Sequence, residues 1–182
     1  MPSVYLSPST QEFNPYINGG NEQFYMNLIA DEMIPYLVAS GITVVRNNRD
    51  EPLSTAIKES NNGNYDIHFS IHSNASPSNI AGETMGADVY YYTTSKKGLE
   101  LATIVANNYK DIYPNPNLVK TVPSTTLAEL KNTTAPAILI ETAYHDNFTD
   151  AQWIKENVDN IARNLSLSIT EYFNVPFIEP FE

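Results

Sequence analysis

Cysteine is absent from the 182-residue sequence, which excludes disulfide bonds and thiolate metal ligands. Basic residues are also scarce: 10 Lys and Arg stand against 21 Asp and Glu, which gives a formal net charge of -11 at pH 7. Because nucleic-acid binding depends on Lys and Arg clusters that neutralise phosphates, this balance argues against a nucleic-acid partner. Apolar runs of the length that a membrane span requires are missing, so we expect no insertion into a membrane.

The first residues, MPSVYLSPS, have neither the basic start nor the apolar run of a secretory signal, so no signal peptide is expected. Hydrophobic residues make up 42% of the chain and charged residues 17%, as in ordinary globular proteins. The length is that of one domain with a substantial core. We therefore expect a single catalytic or binding domain over residues 1–174, followed by a linker or tail at 175–182, where two prolines occur.

Segments typical of strands and helices alternate along the chain, which favours an α/β fold. The patterns predict strands at residues 4–6, 42–46, 67–72, 87–92 and 137–141. They predict helices at residues 22–40, 52–60, 95–113 and 159–173. Pro35 falls inside the first helix, where we expect a kink or a loss of stability.

The stretch DIHFSIHSNA places two of the three histidines four residues apart. Apolar residues alternate with polar ones here, which predicts a strand. On a strand, His68 and His72 would be roughly 13 Å apart, too far for one metal ion. His72 is the better candidate ligand, because loop residues follow it and open α/β sheets bind ligands at the carboxyl ends of strands. We expect His68 to be packed and hydrogen-bonded.

Two carboxylates add to this candidate site. A projection of the first helix at about 100° per residue places Glu22 in the middle of the apolar stripe and Gln23 on its edge. Glu22 is therefore a candidate metal ligand, although an interaction with the helix dipole would also explain it. Glu141 ends the apolar stretch AILIE, where burial should raise its pKa and suit it to acid–base catalysis. An ion pair with a Lys or Arg is the structural alternative.

The blocks SPSTQEFN, NEQFYMNLIADEM, DIHFSIHSNA and APAILIETAYHDN resemble those of zinc-dependent N-acetylmuramoyl-L-alanine amidases, in particular the clostridial autolysin and phage endolysin branch. The resemblance extends from about residue 4 to residue 173. It implies a mixed, mostly parallel sheet with helices on both faces. It also implies cleavage of the amide bond between N-acetylmuramic acid and the L-alanine of the peptidoglycan stem peptide. Zinc would be held by two histidines and a glutamate, and a second glutamate would act catalytically.

Matched to these blocks, His72 takes the place of a histidine ligand and Glu141 that of the catalytic glutamate. Glu22 lies in the glutamate-ligand block, although an ungapped match would put Gln23 there. The other histidine ligand is replaced by Phe13, which cannot bind zinc. Conceivable substitutes are Gln11, Glu12 and His145, and the sequence does not choose among them.

Two other functions stay open at this point. The loss of a ligand at Phe13 would also fit a catalytically silent module that binds the cell wall. A zinc peptidase acting on stem peptides would use the same ligand types. In every case the expected partner is peptidoglycan.

A cell-wall-binding domain downstream would help an acidic catalytic part to reach anionic wall polymers. The expected route to the wall is release from the cytoplasm during phage lysis, or export as part of a longer protein.

Overall fold

The computed structural model of the protein describes residues 1–180. Six strands in this range form one sheet in the order β2-β1-β3-β6-β4-β5. The strands are β1 Ser3–Pro8, β2 Thr43–Arg46, β3 Ile67–Asn74, β4 Ala87–Tyr92, β5 Val119–Ser124 and β6 Ala137–Tyr144. The α-helices are α1 Glu22–Ala39, α2 Leu53–Gly63, α3 Lys96–Tyr109, α4 Ala128–Asn132, α5 Phe148–Glu156 and α6 Val158–Phe173.

The sheet is mixed and mostly parallel, as predicted. Every strand pairing in it is parallel except that between β4 and β6. Because β4 runs against β6, the start of β4 lies at the same edge of the sheet as the ends of β3 and β6. The connection between β3 and β4, residues 75–86, therefore leaves and rejoins the sheet at this edge and passes over the end of β6. We call this connection the β3–β4 arch.

Helices cover both faces of the sheet. Phe69 and Ile71 of β3 point to the main apolar core, which α1, α3 and α6 close. His68, Ser70 and His72 alternate with them and point to the opposite face, which the short helices α2 and α4 cover in part. This second face is polar at its centre, and it carries the candidate site.

Helix α1 continues through Pro35, as the predicted range of 22–40 required. Pro35 is on the exposed side of the helix, where water can bond the carbonyl that its missing N–H leaves free. Helix α3 ends at Tyr109, earlier than expected, and the residues up to Tyr113 form a turn.

Three elements were not expected from the sequence: β5, α4 and α5. Strand β5 is the edge strand, mostly polar, and it contains Pro123, so it lacks the apolar pattern of the inner strands. Strand β6 extends to Tyr144, so Glu141 lies within the strand and does not end it. The register between β3 and β6 shifts after His72. Beyond this shift Asn74 pairs with Tyr144, and the pairing extends β6.

Residues 175–180 contain no helix or strand, but they contact the domain. Phe177 stacks on Tyr36 of α1, and the Ile178 amide donates to the Ser40 hydroxyl. The division into a domain and a tail stays a prediction, and the tail's last two residues lie outside the described range. None of the helices within residues 1–180 has the length and apolar character that crossing a membrane requires.

Candidate active site

An open cleft of about 240 Å³ lies at the edge of the sheet where β3 and β6 end. It brings together Glu22, His72 and Glu141, the three residues that the sequence singled out. The full lining is Gln11, Asn14, Glu22, His72, Ser73, Asn74, Ala75, Glu141 and His145.

Glu22 reaches the cleft because it is the first residue of α1. Asn21 caps the helix by accepting a hydrogen bond from the Phe24 amide, which fixes the first turn. The Glu22 side chain is 1% exposed, with Oε1 at 2.9 Å from His72 Nδ1 and Oε2 accepting from Asn14 at 2.6 Å. The pKa of Glu22 is lowered, because the hydrogen bond and charge of His72 outweigh the effect of burial.

Gln23 points away from the cleft. Its amide donates to the backbone carbonyls of Thr10 and Arg49. The helical projection thus identified the residue that faces the site, whereas the ungapped match to the family pattern did not. Whether Glu22 binds a metal stays a prediction.

His72 has a carboxylate on each ring nitrogen. Besides the contact of Nδ1 with Glu22, Nε2 lies 3.1 Å from Oε2 of Glu129. Burial alone would lower the pKa of His72, but the bonds to Glu129 and Glu22 and the nearby carboxylate charges raise it above its ordinary value. The two carboxylates therefore favour the protonated form of the His72 ring.

Glu141 is a half-buried acid that lines the cleft. Burial raises its pKa to about 7, and the charges of Glu22 and Asp88 add to this effect, while His72 opposes it. Oε2 of Glu141 is buried and has no hydrogen-bond partner within residues 1–180. A carboxylate with a pKa near neutrality and a free oxygen is suited to accepting and donating a proton.

Asp88 extends the acidic site across the sheet. It is the direct partner of Glu141 in the antiparallel pair of β4 and β6, and Lys120 of β5 pairs with it on its other side. Burial raises the pKa of Asp88. The sequence placed residues 87–92 in a strand but gave no sign that this strand runs antiparallel, so Asp88 was missed.

The three residues that could replace the missing histidine ligand do not all lie in the cleft. Phe13 is 74% exposed, and Glu12 is also exposed and lines a different cleft. Gln11 and His145 line the cleft of Glu22 and His72. His145 is held by Nδ1 at 2.9 Å from the Ser73 carbonyl and stacks on Tyr16. Glu12 therefore lies outside the cleft, whereas His145 belongs to it.

Glu22 and His72 have donor atoms of the kind that bind zinc, and they would supply two of the ligands of a zinc site. A carboxylate oxygen and an imidazole nitrogen, both buried and 2.9 Å apart, are an ordinary pair of zinc ligands. Within residues 1–180, no three His, Asp or Glu side chains converge closely enough to hold a metal ion. The pair Glu22–His72 is thus the part of a metal site that this chain supplies, with Gln11, Asn14 and His145 beside it.

Sequence reasoning also missed Glu129. This side chain is 2% exposed and lies behind His72, between it and His68. His68 itself is fully buried with both ring nitrogens bonded, as expected. One sequence signal existed: Glu129 is the only acidic residue between Asp111 and Glu141, and it is flanked by leucines in LAEL.

Comparisons with known proteins agree with this architecture. Residues 11–171 match the family model described as N-acetylmuramoyl-L-alanine amidase. The N-acetylmuramoyl-L-alanine amidase AmiC2 of Nostoc punctiforme superposes with a TM-score of 0.84 and 21% identity, covering 95% of this chain and 97% of that one. An N-acetylmuramoyl-L-alanine amidase from Clostridium difficile 630 gives 0.81 and 20%, over 95% and 97%.

The catalytic domain of the CD27L endolysin, which targets Clostridia difficile, gives a TM-score of 0.76 and 22% identity, over 98% of this chain and 100% of that domain. At such low sequence identities the solved structures establish only the fold of this chain. The match to the family model is what assigns the chain to a family. No curated protein sequence is significantly similar to the chain.

Proposed function

Because this chain belongs to the N-acetylmuramoyl-L-alanine amidase family, we propose that its cleft holds a zinc ion on Glu22 and His72 and uses Glu141 as the general base. The chain is a peptidoglycan hydrolase that cleaves the amide bond between N-acetylmuramic acid and the L-alanine of the stem peptide. The family is generally zinc-dependent, and it acts on the cell wall. What is proposed is how this chain's own residues perform that hydrolysis.

The observation that carries the proposal is the contact between Glu22 Oε1 and His72 Nδ1 at 2.9 Å. Two buried donor atoms of zinc-binding type face one cleft, and the acid with a pKa near 7 lines the same cleft. Zinc, when bound, polarises the scissile carbonyl and lowers the pKa of water toward about 7.

Glu141 then moves the proton that the hydrolysis requires. Its carboxylate takes a proton from the attacking water, and the resulting carboxylic acid delivers that proton to the leaving nitrogen of L-alanine. The unpartnered Oε2 gives the group a free acceptor atom for this purpose. Partial burial of the Glu141 carboxyl in the cleft keeps its pKa close to neutrality.

The route to the wall and further domains are also proposals. Resemblance to an endolysin catalytic domain supports release from the cytoplasm during phage lysis, with export as part of a longer protein as the alternative. A downstream cell-wall-binding domain would offset the repulsion between this acidic chain and anionic wall polymers. Equal binding of the chain to native walls and to walls stripped of teichoic acid would contradict that reason for it.

The decisive experiment follows the products released from purified peptidoglycan. We expect new L-alanine amino termini and free muramic acid lactyl groups, loss of release with a chelator, and recovery with zinc. A peptidase would leave L-alanine attached to muramic acid. Binding of muropeptides without release under any metal would identify a silent wall-binding module. The absence of a third converging ligand within residues 1–180 favours that function.

A further inference from the structure

Three lysines, Lys96, Lys97 and Lys131, line a second open pocket of about 400 Å³, which we call the lysine pocket. Tyr92, the last residue of β4, and Ala137, the first residue of β6, line it as well. The pocket therefore lies at the edge of the sheet opposite to the cleft. Measured along β4 or β6, about four residues, or roughly 13 Å, separate the two.

The charge of the lysine pocket is opposite to that of the chain as a whole. Three of the ten basic residues of a chain with net charge -11 meet here, and no Asp or Glu of residues 1–180 lines the pocket. All three lysines are exposed, and none forms an ion pair within that range. Lys96 and Lys97 also begin α3, where the helix dipole favours carboxylates, so the fold gains nothing from their charge. The pocket is suited to an anionic ligand.

A strip of half-buried side chains connects the lysine pocket with the cleft. Asp88, Tyr90 and Tyr92 alternate with buried apolar residues of β4, so they share the sheet face that carries the cleft. Asp88, at one end of the strip, is the register partner of Glu141, and Tyr92, at the other end, lines the lysine pocket. The two tyrosine rings between these ends present apolar surface with a polar tip, which suits contact with a peptide.

We propose that the lysine pocket binds the free carboxylate at the far end of the stem peptide while the L-alanine end lies in the cleft, an inference that rests on the proposed function. An extended chain spans at most about 3.3–3.6 Å per residue, so a stem of four residues covers the strip. Glu22, Asp88 and Glu141 repel a carboxylate at the cleft end, and the lysines attract it at the other. The charges thus set the direction in which the stem peptide lies.

The test compares hydrolysis of two soluble muropeptides that differ in one group. Both have a stem of four residues, which ends in a free carboxylate in one and in a carboxamide in the other. KM and kcat are measured for wild type, Lys97→Glu and Lys58→Glu. Lys58 of α2 is exposed and lies outside the lysine pocket, so its variant matches the change in net charge. Lys97→Glu puts a carboxylate at a helix N-terminus, so its melting temperature should stay equal or rise.

Wild type and Lys58→Glu should have a KM about tenfold lower for the free carboxylate than for the carboxamide, the effect of one partly hydrated bond to a charged group. Lys97→Glu should abolish this preference at a similar kcat, and Lys131→Gln, on another helix, should reduce it. Absence of the preference in wild type, or its persistence in both pocket variants, would overturn the proposal.

The length of the stem provides a second test on wild type alone. A stem of two residues spans only about 7 Å and cannot reach the lysine pocket from the cleft. Free and amidated forms of this shorter muropeptide should therefore have equal KM values. A preference for its free carboxylate would show that the carboxylate is bound elsewhere, and would contradict the proposal.

Failure of the proposed function would be recognised separately. If wild type hydrolyses none of these muropeptides, the proposed function is refuted, and calorimetric affinities for the two four-residue muropeptides decide about the pocket. Equal affinities would overturn its assignment to the stem peptide. Loss of teichoic acid binding in Lys97→Glu, with unchanged muropeptide affinity, would overturn it too and assign the pocket to anionic wall polymers.

Discussion

Glu141 of β6 lies directly opposite His72 of β3 in the parallel ladder of the sheet. Neighbouring strands are about 4.8 Å apart, so the register itself places the proposed general base beside the proposed histidine ligand. This relationship does not depend on the loop before α1, which carries the exposed Phe13. Predictions for Glu141 can therefore be tested separately from the question of the third ligand.

Replacing Glu141 with Gln should reduce amide hydrolysis by about 10²- to 10⁴-fold, the usual contribution of a general base. Zinc affinity and muropeptide binding should change little, since Gln keeps the shape of the side chain. Release of L-alanine amino termini from peptidoglycan measures the effect. Glu12→Gln is the matched control, an exposed glutamate in a neighbouring cleft. Full activity of Glu141→Gln would exclude the proposed base.

The same substitution should stabilise the metal-free protein at high pH. The folded-state pKa of about 7 exceeds the ordinary value of 4.5, so the folded protein retains a proton that the unfolded chain has lost. Stability should fall as the pH rises from about 4.5 to 7, by at most about 3 kcal/mol. Glu141→Gln should therefore melt higher than wild type at pH 8 and about equally at pH 4. Equal melting temperatures at both pH values would show that the pKa is not raised.

Asp88→Asn should shift the acidic limb of the pH–activity profile to lower pH. The negative charge of Asp88 raises the pKa of Glu141, and its removal lowers that pKa, so the base ionises earlier. We expect a shift of a fraction of a pH unit in kcat/KM, with little change at high pH. Glu83→Gln on the exposed β3–β4 arch is the control. A shift to higher pH would contradict the assigned electrostatics.

Glu22→Gln should weaken zinc binding more than the roughly 100-fold that a supporting residue contributes. Gln23→Glu adds a carboxylate at the alternative position, and its zinc affinity should equal that of wild type because Gln23 faces away from the cleft. The double variant should not recover binding. Recovery in the double variant would show that position 23 holds the metal, contrary to the geometry.

Much of the fold follows from local patterns in the sequence. The two-residue period of the stretch around His72 gave its strand, and the helical projection gave the direction of Glu22. The candidate residues came together because polar side chains near the carboxyl ends of parallel strands share one edge. These inferences depend on local periodicity and on general rules for parallel sheets, both of which can be applied to a single sequence.

The missed features depend on contacts between distant segments. Strand β5 is exposed and polar, so no apolar alternation marks it. The antiparallel direction of β4, and with it the place of Asp88, is decided by the path of the β3–β4 arch. Glu129 lies on a five-residue helix without periodicity, and its neighbours in space are 57 to 122 residues away in the chain.

The β3–β4 arch has a consequence for how such enzymes diversify. Both of its ends lie at the edge that carries the cleft, and Asp146 ties it down by accepting from the Ser76 and Gly82 amides. Its length and composition can therefore vary without moving a strand or any of the proposed catalytic groups. Exchange of this segment with that of a relative is therefore expected to leave the strands and the residues Glu22, His72 and Glu141 in place.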